Sequence, residues 1–369
     1  MMNARRLRAV LINNRWPAPA RSALLTSYFL LFTLPLSAQN PPVQSTTPIQ
    51  PTTPIPPPTQ PFPEWLADVR TEALSRGISA ATLDLAFADL APDPVIIARD
   101  RAQPELIQSL DEYVAARLSP KNVDNGRAML AQHAELLERI HKEYGVARPI
   151  MVAIWGAESN FGQITGTRPI ITSLATLAYD SRRPALFRGE LFQALTILDR
   201  GLVALPDLKG SWAGAMGQPQ FMPSSYLKYA VDFDQDGHPN IWTSEADVLA
   251  SMANYLKASG WTDGGRWGRE VHITPKVLAK IERTVPMRTT GCGAMKAMTE
   301  TRALSEWRWF GVMANDETPL PGKDTQASLV RGVNRYFLVY PNYHALLQYN
   351  CSNSYAIGIG LLSDAISEK

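Results

Sequence analysis

The sequence predicts a mainly α-helical fold with a smaller α+β lobe, and three observations carry that prediction. Apolar residues recur at three- and four-residue spacing through much of the chain after residue 64. That spacing gives way to alternation around Val271 and Ile273, with the aromatic residues Trp307, Trp309 and Phe310 further on. Ahead of both lies a stretch whose composition cannot fold.

That first stretch runs from Asn40 to Pro63, with ten prolines and no charged residue. Proline fixes φ and favours extended chain, so residues 39–63 read as a semi-rigid spacer and the folded body begins near Glu64. Before it, a basic segment up to Arg21, an apolar run from Ala23 to Leu36 and the small residues Ser37 and Ala38 read as an export signal over residues 1–38, the alternative being an uncleaved membrane anchor. The apolar run is too short for a comfortable membrane span, which needs about 20 residues. No cysteine follows it, so a lipoprotein anchor is not expected and the chain is read as periplasmic.

Within the body, Trp65, Leu66 and Val69, then Ile78, Leu83, Leu85, Phe87 and Leu90, open the helical pattern, which Pro92 and Pro94 break. Further helices are predicted at about Asn122 to Tyr144, Pro149 to Glu158, Ile170 to Tyr179, Arg188 to Leu202 and Ser244 to Ser259. Asp124 and Ser244 suit N-caps, and Gly260 suits a helix stop. The lobe is placed at about 265–321. The segment after Tyr336 reads as a loop that returns to the body through a helix from Tyr355 to Ile366.

The formal charge is +2, but five arginines lie before the first acidic residue, inside the signal. Without them the balance is about minus three, against the large positive surface that nucleic acid demands, so nucleic acid is not an expected partner. Two cysteines, Cys292 and Cys351, are too few for a metal site, and in an exported chain they could pair or remain separate buried thiols.

Three segments carry chemistry. In the run from Ala153 to Gly162, Glu158 ends an apolar helix beside Gly156 and Ala157, small residues that would let a substrate approach. An apolar surround raises a carboxyl's pKa and keeps a proton available near neutrality, as the lysozyme glutamate illustrates. The bland alternative is a surface glutamate closing a core helix. The run from Ser211 to Tyr226 is rich in Gly and Ala, and Ser211, Gln220 and Tyr226 offer hydrogen bonds to sugars; alternatively it is a tight turn packed on the core. Third, Asp232-Phe233-Asp234-Gln235-Asp236-Gly237-His238 has oxygens at the first, third and fifth positions and glycine at the sixth, the start of a calcium loop. Thr243 stands where a closing glutamate is usual, leaving Asp247 to close the site; an acidic surface turn would read similarly.

Together and in this order, these segments resemble the B-type lytic murein transglycosylases, glycoside hydrolase family 103, from about Glu64 to the C-terminus. The matching pieces are Glu158-Ser159-x-x-Gly162, Ala213 to Tyr226, Tyr229 to Trp242, Ala253-Asn254-Tyr255-Leu256, and Pro341-Asn342 through Tyr349-Asn350. The resemblance implies a lysozyme-like helical catalytic domain with Glu158 as the single acid/base. It implies that Ser211, Gln220 and Tyr255 line the sugar cleft, that Arg182 and Arg183 lie near the glycan or its peptide carboxylates, and that Tyr343, Tyr349 and Asn350 contact substrate. It also implies calcium, structural if bound, on Asp232, Asp234, Asp236, His238 and Asp247, with no cofactor for catalysis. One departure is Leu186, where relatives often place a tyrosine.

Implied partners are peptidoglycan glycan strands, possible cell-wall synthesis proteins, and no second copy of the chain. The implied reaction opens the β-1,4 bond between N-acetylmuramic acid and N-acetylglucosamine without water, giving 1,6-anhydromuramoyl ends. The rivals are a muramidase that hydrolyses the same bond, for which Asp180 or Glu190 would have to activate water, and a noncatalytic, calcium-stabilised wall-binding module.

Overall fold

The computed structural model describes residues 58–101, 109–316, 318–320 and 325–367; the expected signal and nearly all of the spacer fall outside them. Most described residues are helical, and among them no helix is long and apolar enough to cross a membrane. The first helix, Phe62–Ser75, starts two residues before the expected edge of the body, with Pro63 in its first turn, where a missing N–H costs nothing.

The helix Arg148–Ser159 runs through the core, and Ile150 to Trp155 are all buried. A helix apolar on every side must be enclosed. Helices Pro120–Gln132 and Asn353–Ser367 enclose it. The long helix expected from Asn122 to Tyr144 is two, Pro120–Gln132 and Ala134–Tyr144, broken at His133. Its N-cap is Ser119, not Asp124, because Ser119 Oγ accepts the Asn122 N–H while Pro120 follows at the first helical position. Ser244 caps Glu245–Ala258 as expected, accepting the Asp247 N–H.

The lobe is larger than the alternation suggested. Its antiparallel five-stranded sheet has the order Arg302–Ala303, Gln326–Arg331, Tyr336–Val339, Gly268–His272 and Met313–Ala314. Tyr336 to Val339, read as loop, is thus an inner strand, followed by the helix Pro341–Tyr349. Period-2 patterning is invisible there because Phe337, Leu338 and Val339 are all buried. Val271, Ile281, Trp307, Phe310, Leu329 and Leu338 form the lobe's own core, separate from that of the helical body. Cys292 and Cys351 are joined as a disulfide that ties the lobe to the body.

Candidate active site

Glu158 lies in the last turn of the central helix, 9% exposed. Directly after it the backbone turns sharply through left-handed residues, Asn160 at φ 50°, Phe161 at 57° and Gly162 at 81°. Ser159 closes this turn: its Oγ accepts the Gly162 N–H at 3.0 Å and donates to the Trp155 carbonyl at 3.3 Å. Gly162 has no side chain because Gln218 Oε1 lies 2.5 Å from where a Cβ would sit, and that oxygen accepts the Trp155 indole N–H at 2.6 Å. The motif therefore fixes how the helix ends and where Glu158 stands. Gly156 admits no substrate: the Phe161 ring occupies the space a Cβ would need, 2.7 Å away.

Glu158 Oε1 accepts a hydrogen bond from the Tyr355 hydroxyl at 2.7 Å. Burial pushes the Glu158 carboxyl up from 4.5 to about 7, against the opposing pull of the Tyr355 hydrogen bond and the Arg117 charge. Tyr355 is itself held well above 10 by burial and by the Glu158 charge, so it stays a donor. Sequence reasoning missed Tyr355. Its position in the first turn of an apolar helix, Asn353–Ser367, was the only available signal.

Beside this pair lies a cavity of about 550 Å³ whose wall includes Arg183, Glu190, Trp212, Gln220, Tyr255 and Tyr349. Glu158 is not in that wall; Tyr349, which is, lies close enough to feel its charge. Tyr255 and Tyr349 pack with ring centroids 4.8 Å apart, and their hydroxyls donate to the Gln348 and Pro219 carbonyls. What they offer a sugar is ring surface. Asn350 also lines the cavity, and its buried Oδ1 has no hydrogen-bond partner, a costly state that a ligand donor would relieve. Gln220 sits at φ 53°, held by its amide donating to the Gly217 and Thr165 carbonyls. Such strain concentrates where ligands bind.

Other expected contacts go elsewhere. Ser211 does not line the cavity; its Oγ accepts the Ala215 N–H and closes a turn. Arg182 and Arg183 both pair with Asp100, a carboxylate only 2% exposed that needs opposite charge to be buried, and only Arg183 reaches the cavity wall. Tyr343 is fully buried, donating to Asn353 Oδ1 at 2.8 Å, so it is core rather than cleft. Tyr226 is buried as well and donates to the Pro239 carbonyl, bracing the acidic loop. Asp180 pairs with Arg101 at 2.8 Å, and Glu190 accepts both the Ser224 N–H and its hydroxyl.

In the acidic loop, carboxylate oxygens of Asp232, Asp234 and Asp247 all lie within 4.8 Å of one another. Asp247 is fully buried, and burial raises its pKa although the Asn240 and Phe233 N–H groups donate to it. Three hard oxygens gathered without an ion pair among the described residues fit a divalent cation such as calcium. Asp236 and His238 are not in the cluster; they pair with each other at 3.3 Å. Thr243 does not close the site either, since its Oγ1 accepts from the Asn240 amide.

The family of transglycosylase SLT domains matches residues 61–364. The chain belongs to that family. It is 35% identical over 256 residues to the membrane-bound lytic murein transglycosylase B of Escherichia coli K12, a match spanning 68% of this chain and 65% of that relative's length. Among solved structures, SltB3 of Pseudomonas aeruginosa in complex with NAG-anhNAM-pentapeptide is similar at 43% identity and TM-score 0.74, covering 83% of this chain and 80% of that one. The E. coli lytic transglycosylase Slt35 in complex with calcium is similar at 29% identity and TM-score 0.67, covering 84% and 93%. An SLT domain of this kind has the mostly helical, lysozyme-like body described above.

Proposed function

We propose that this SLT-family chain is a lytic transglycosylase of peptidoglycan, acting on the bond between N-acetylmuramic acid and N-acetylglucosamine. The observation that carries the reading is Glu158: a buried carboxyl raised to about 7 and hydrogen-bonded to a phenol, while Asp180 is paired with Arg101 and Glu190, in the cavity wall, is engaged by the Ser224 N–H and hydroxyl. Hydrolysis would need a second carboxylate beside the bond. With one, Glu158 gives its proton to the leaving oxygen as the bond to C1 of the muramic residue breaks. The substrate's acetamido group stabilises the cationic carbon. The 6-hydroxyl then forms the new bond to C1 and returns its proton to Glu158, so no water enters.

The remaining assignments belong to the same reading. Arg183, Gln220, Tyr255, Tyr349 and Asn350 form the sugar-binding wall, with Ser211 and Arg182 supporting it from behind. Asp232, Asp234 and Asp247 would hold calcium, which stiffens the loop and takes no part in the chemistry. Residues 1–38 export the chain, 39–61 form a spacer, and the catalytic region from the helix Phe62–Ser75 onward works in the periplasm as a monomer on glycan strands. The test is mass spectrometry of muropeptides released from purified sacculi. Wild type should give products lighter by one water than muramidase products, and Glu158→Gln should give none; reducing muramic ends as the main product would overturn the assignment.

A further inference from the structure

The lobe sends one hairpin back onto the helical body. Met287 pairs with Thr299, the Arg288 N–H donates to the Met298 carbonyl at 2.9 Å, and between them lie a turn at Gly291 and the short helix Gly293–Lys296. In sequence this hairpin belongs to the lobe, and Met298 bridges Val330 of a lobe strand, yet its buried Ala294 and Met298 join the larger core of the helical body, which Val330, Phe337 and Val339 also enter, and not the lobe's own core. Its tip, formed by Gly291, Cys292 and Met295, is part of the cavity wall that also holds Tyr349 and Asn350.

Three ties fasten the hairpin there. Asn353 Nδ2 donates to the Ala294 carbonyl at 2.9 Å, and Arg288 bonds His344 Nε2 at 3.3 Å. The third is the Cys292–Cys351 disulfide, next in sequence to Asn350. The residues between the two cysteines include four of the lobe's five strands, and these already share a core of their own. The bridge is therefore not needed to gather the lobe. What it adds is a fixed distance between the hairpin tip and the adjoining stretch of cavity wall at Tyr349 and Asn350.

We propose that the Cys292–Cys351 disulfide is a latch that positions the lobe's hairpin as a wall of the substrate cavity, setting how tightly a glycan strand is gripped. This rests on the transglycosylase reading. The latch acts on binding rather than on chemistry, because the hairpin tip lines the cavity whereas Glu158 does not, and the Glu158–Tyr355 hydrogen bond joins two helices of the body without involving the hairpin.

The experiment is steady-state cleavage of a soluble, uncrosslinked glycan oligomer bearing peptide stems. Four forms are compared: oxidised wild type, wild type reduced with dithiothreitol, the Cys292→Ser/Cys351→Ser double variant, and Met295→Ala with the bridge intact, each checked for folding by circular dichroism. The latch predicts KM raised about threefold or more in the last three forms, with kcat within about twofold and the alkaline limb of the pH profile unmoved. Should the double variant not fold, reduced wild type and Met295→Ala decide. Unchanged KM in the folded forms, or a loss confined to kcat, overturns the latch alone. If oxidised wild type cleaves nothing, the transglycosylase reading falls and the latch falls with it.

Discussion

Two regions of this chain treat carboxylates in opposite ways. At the end of the central helix, one carboxyl is withdrawn from water with a phenol for company, and the result is a group that keeps its proton near neutrality. Where the loop after Tyr229 meets the first turn of the helix Glu245–Ala258, three carboxylates are drawn within 4.8 Å of one another, an arrangement that mutual repulsion opposes unless a cation joins it. Isolation makes an acid; crowding makes a ligand set. Residue type alone distinguishes nothing between them, and the helices and turns that position each group do.

The contrast can be broken most forcefully at Glu158. Glu158→Gln should retain its fold and lose about 100- to 10,000-fold in cleavage rate, since an amide can neither donate nor take back the proton. Activity above a tenth of wild type would remove Glu158 from the mechanism. Tyr355→Phe should cost about tenfold and move the alkaline limb of activity to higher pH, because losing a donor to the carboxylate raises its pKa further. A limb that stays in place would mean that Tyr355 is only packing.

At the acidic loop the expected effect is on stability. Calcium in excess over its dissociation constant adds about 2.7 kcal/mol at a hundredfold excess, a rise of several degrees in melting temperature for a domain of this size. Asp232→Ala with Asp234→Ala should erase that rise and leave activity at low temperature largely intact. An equal melting temperature in calcium and in chelator would make the cluster a mere surface turn.

A last effect distinguishes the two regions by pH. Glu158 binds its proton more tightly in the fold than in the unfolded chain, so its own contribution to stability is fully present below pH 4.5 and is lost as pH rises through about 7. Glu158→Gln carries no such term. Its melting temperature relative to wild type should therefore climb across that window and level off above it; a flat difference would show that the carboxyl titrates normally.

Much of the site was legible because its motifs specify backbone. Glu158-Ser159-x-x-Gly162 specifies a turn, since Ser159 and Gly162 are explained by the way the helix ends. Asp247 was found despite Thr243 standing in the usual closing position. The failures share a cause. Tyr343 and Tyr349 are six residues apart and chemically alike, but one faces the core and the other a cavity, which depends on packing between helices distant in sequence. Arg182 was misplaced for the same reason: Asp100, which pairs with both arginines and leaves only Arg183 at the cavity wall, lies some eighty residues earlier. The lobe's inner strand was lost because a strand buried on both faces carries no alternation.

The central claim is that one carboxyl moves both protons and that the substrate's own hydroxyl, tethered at high effective concentration, replaces water. Its most direct test is digestion of purified sacculi in water enriched in the heavy oxygen isotope, followed by mass spectrometry of the released muropeptides. The account predicts anhydromuramoyl ends carrying none of the label. Label at C1 of the muramic residue would show that water attacks there, and would contradict it.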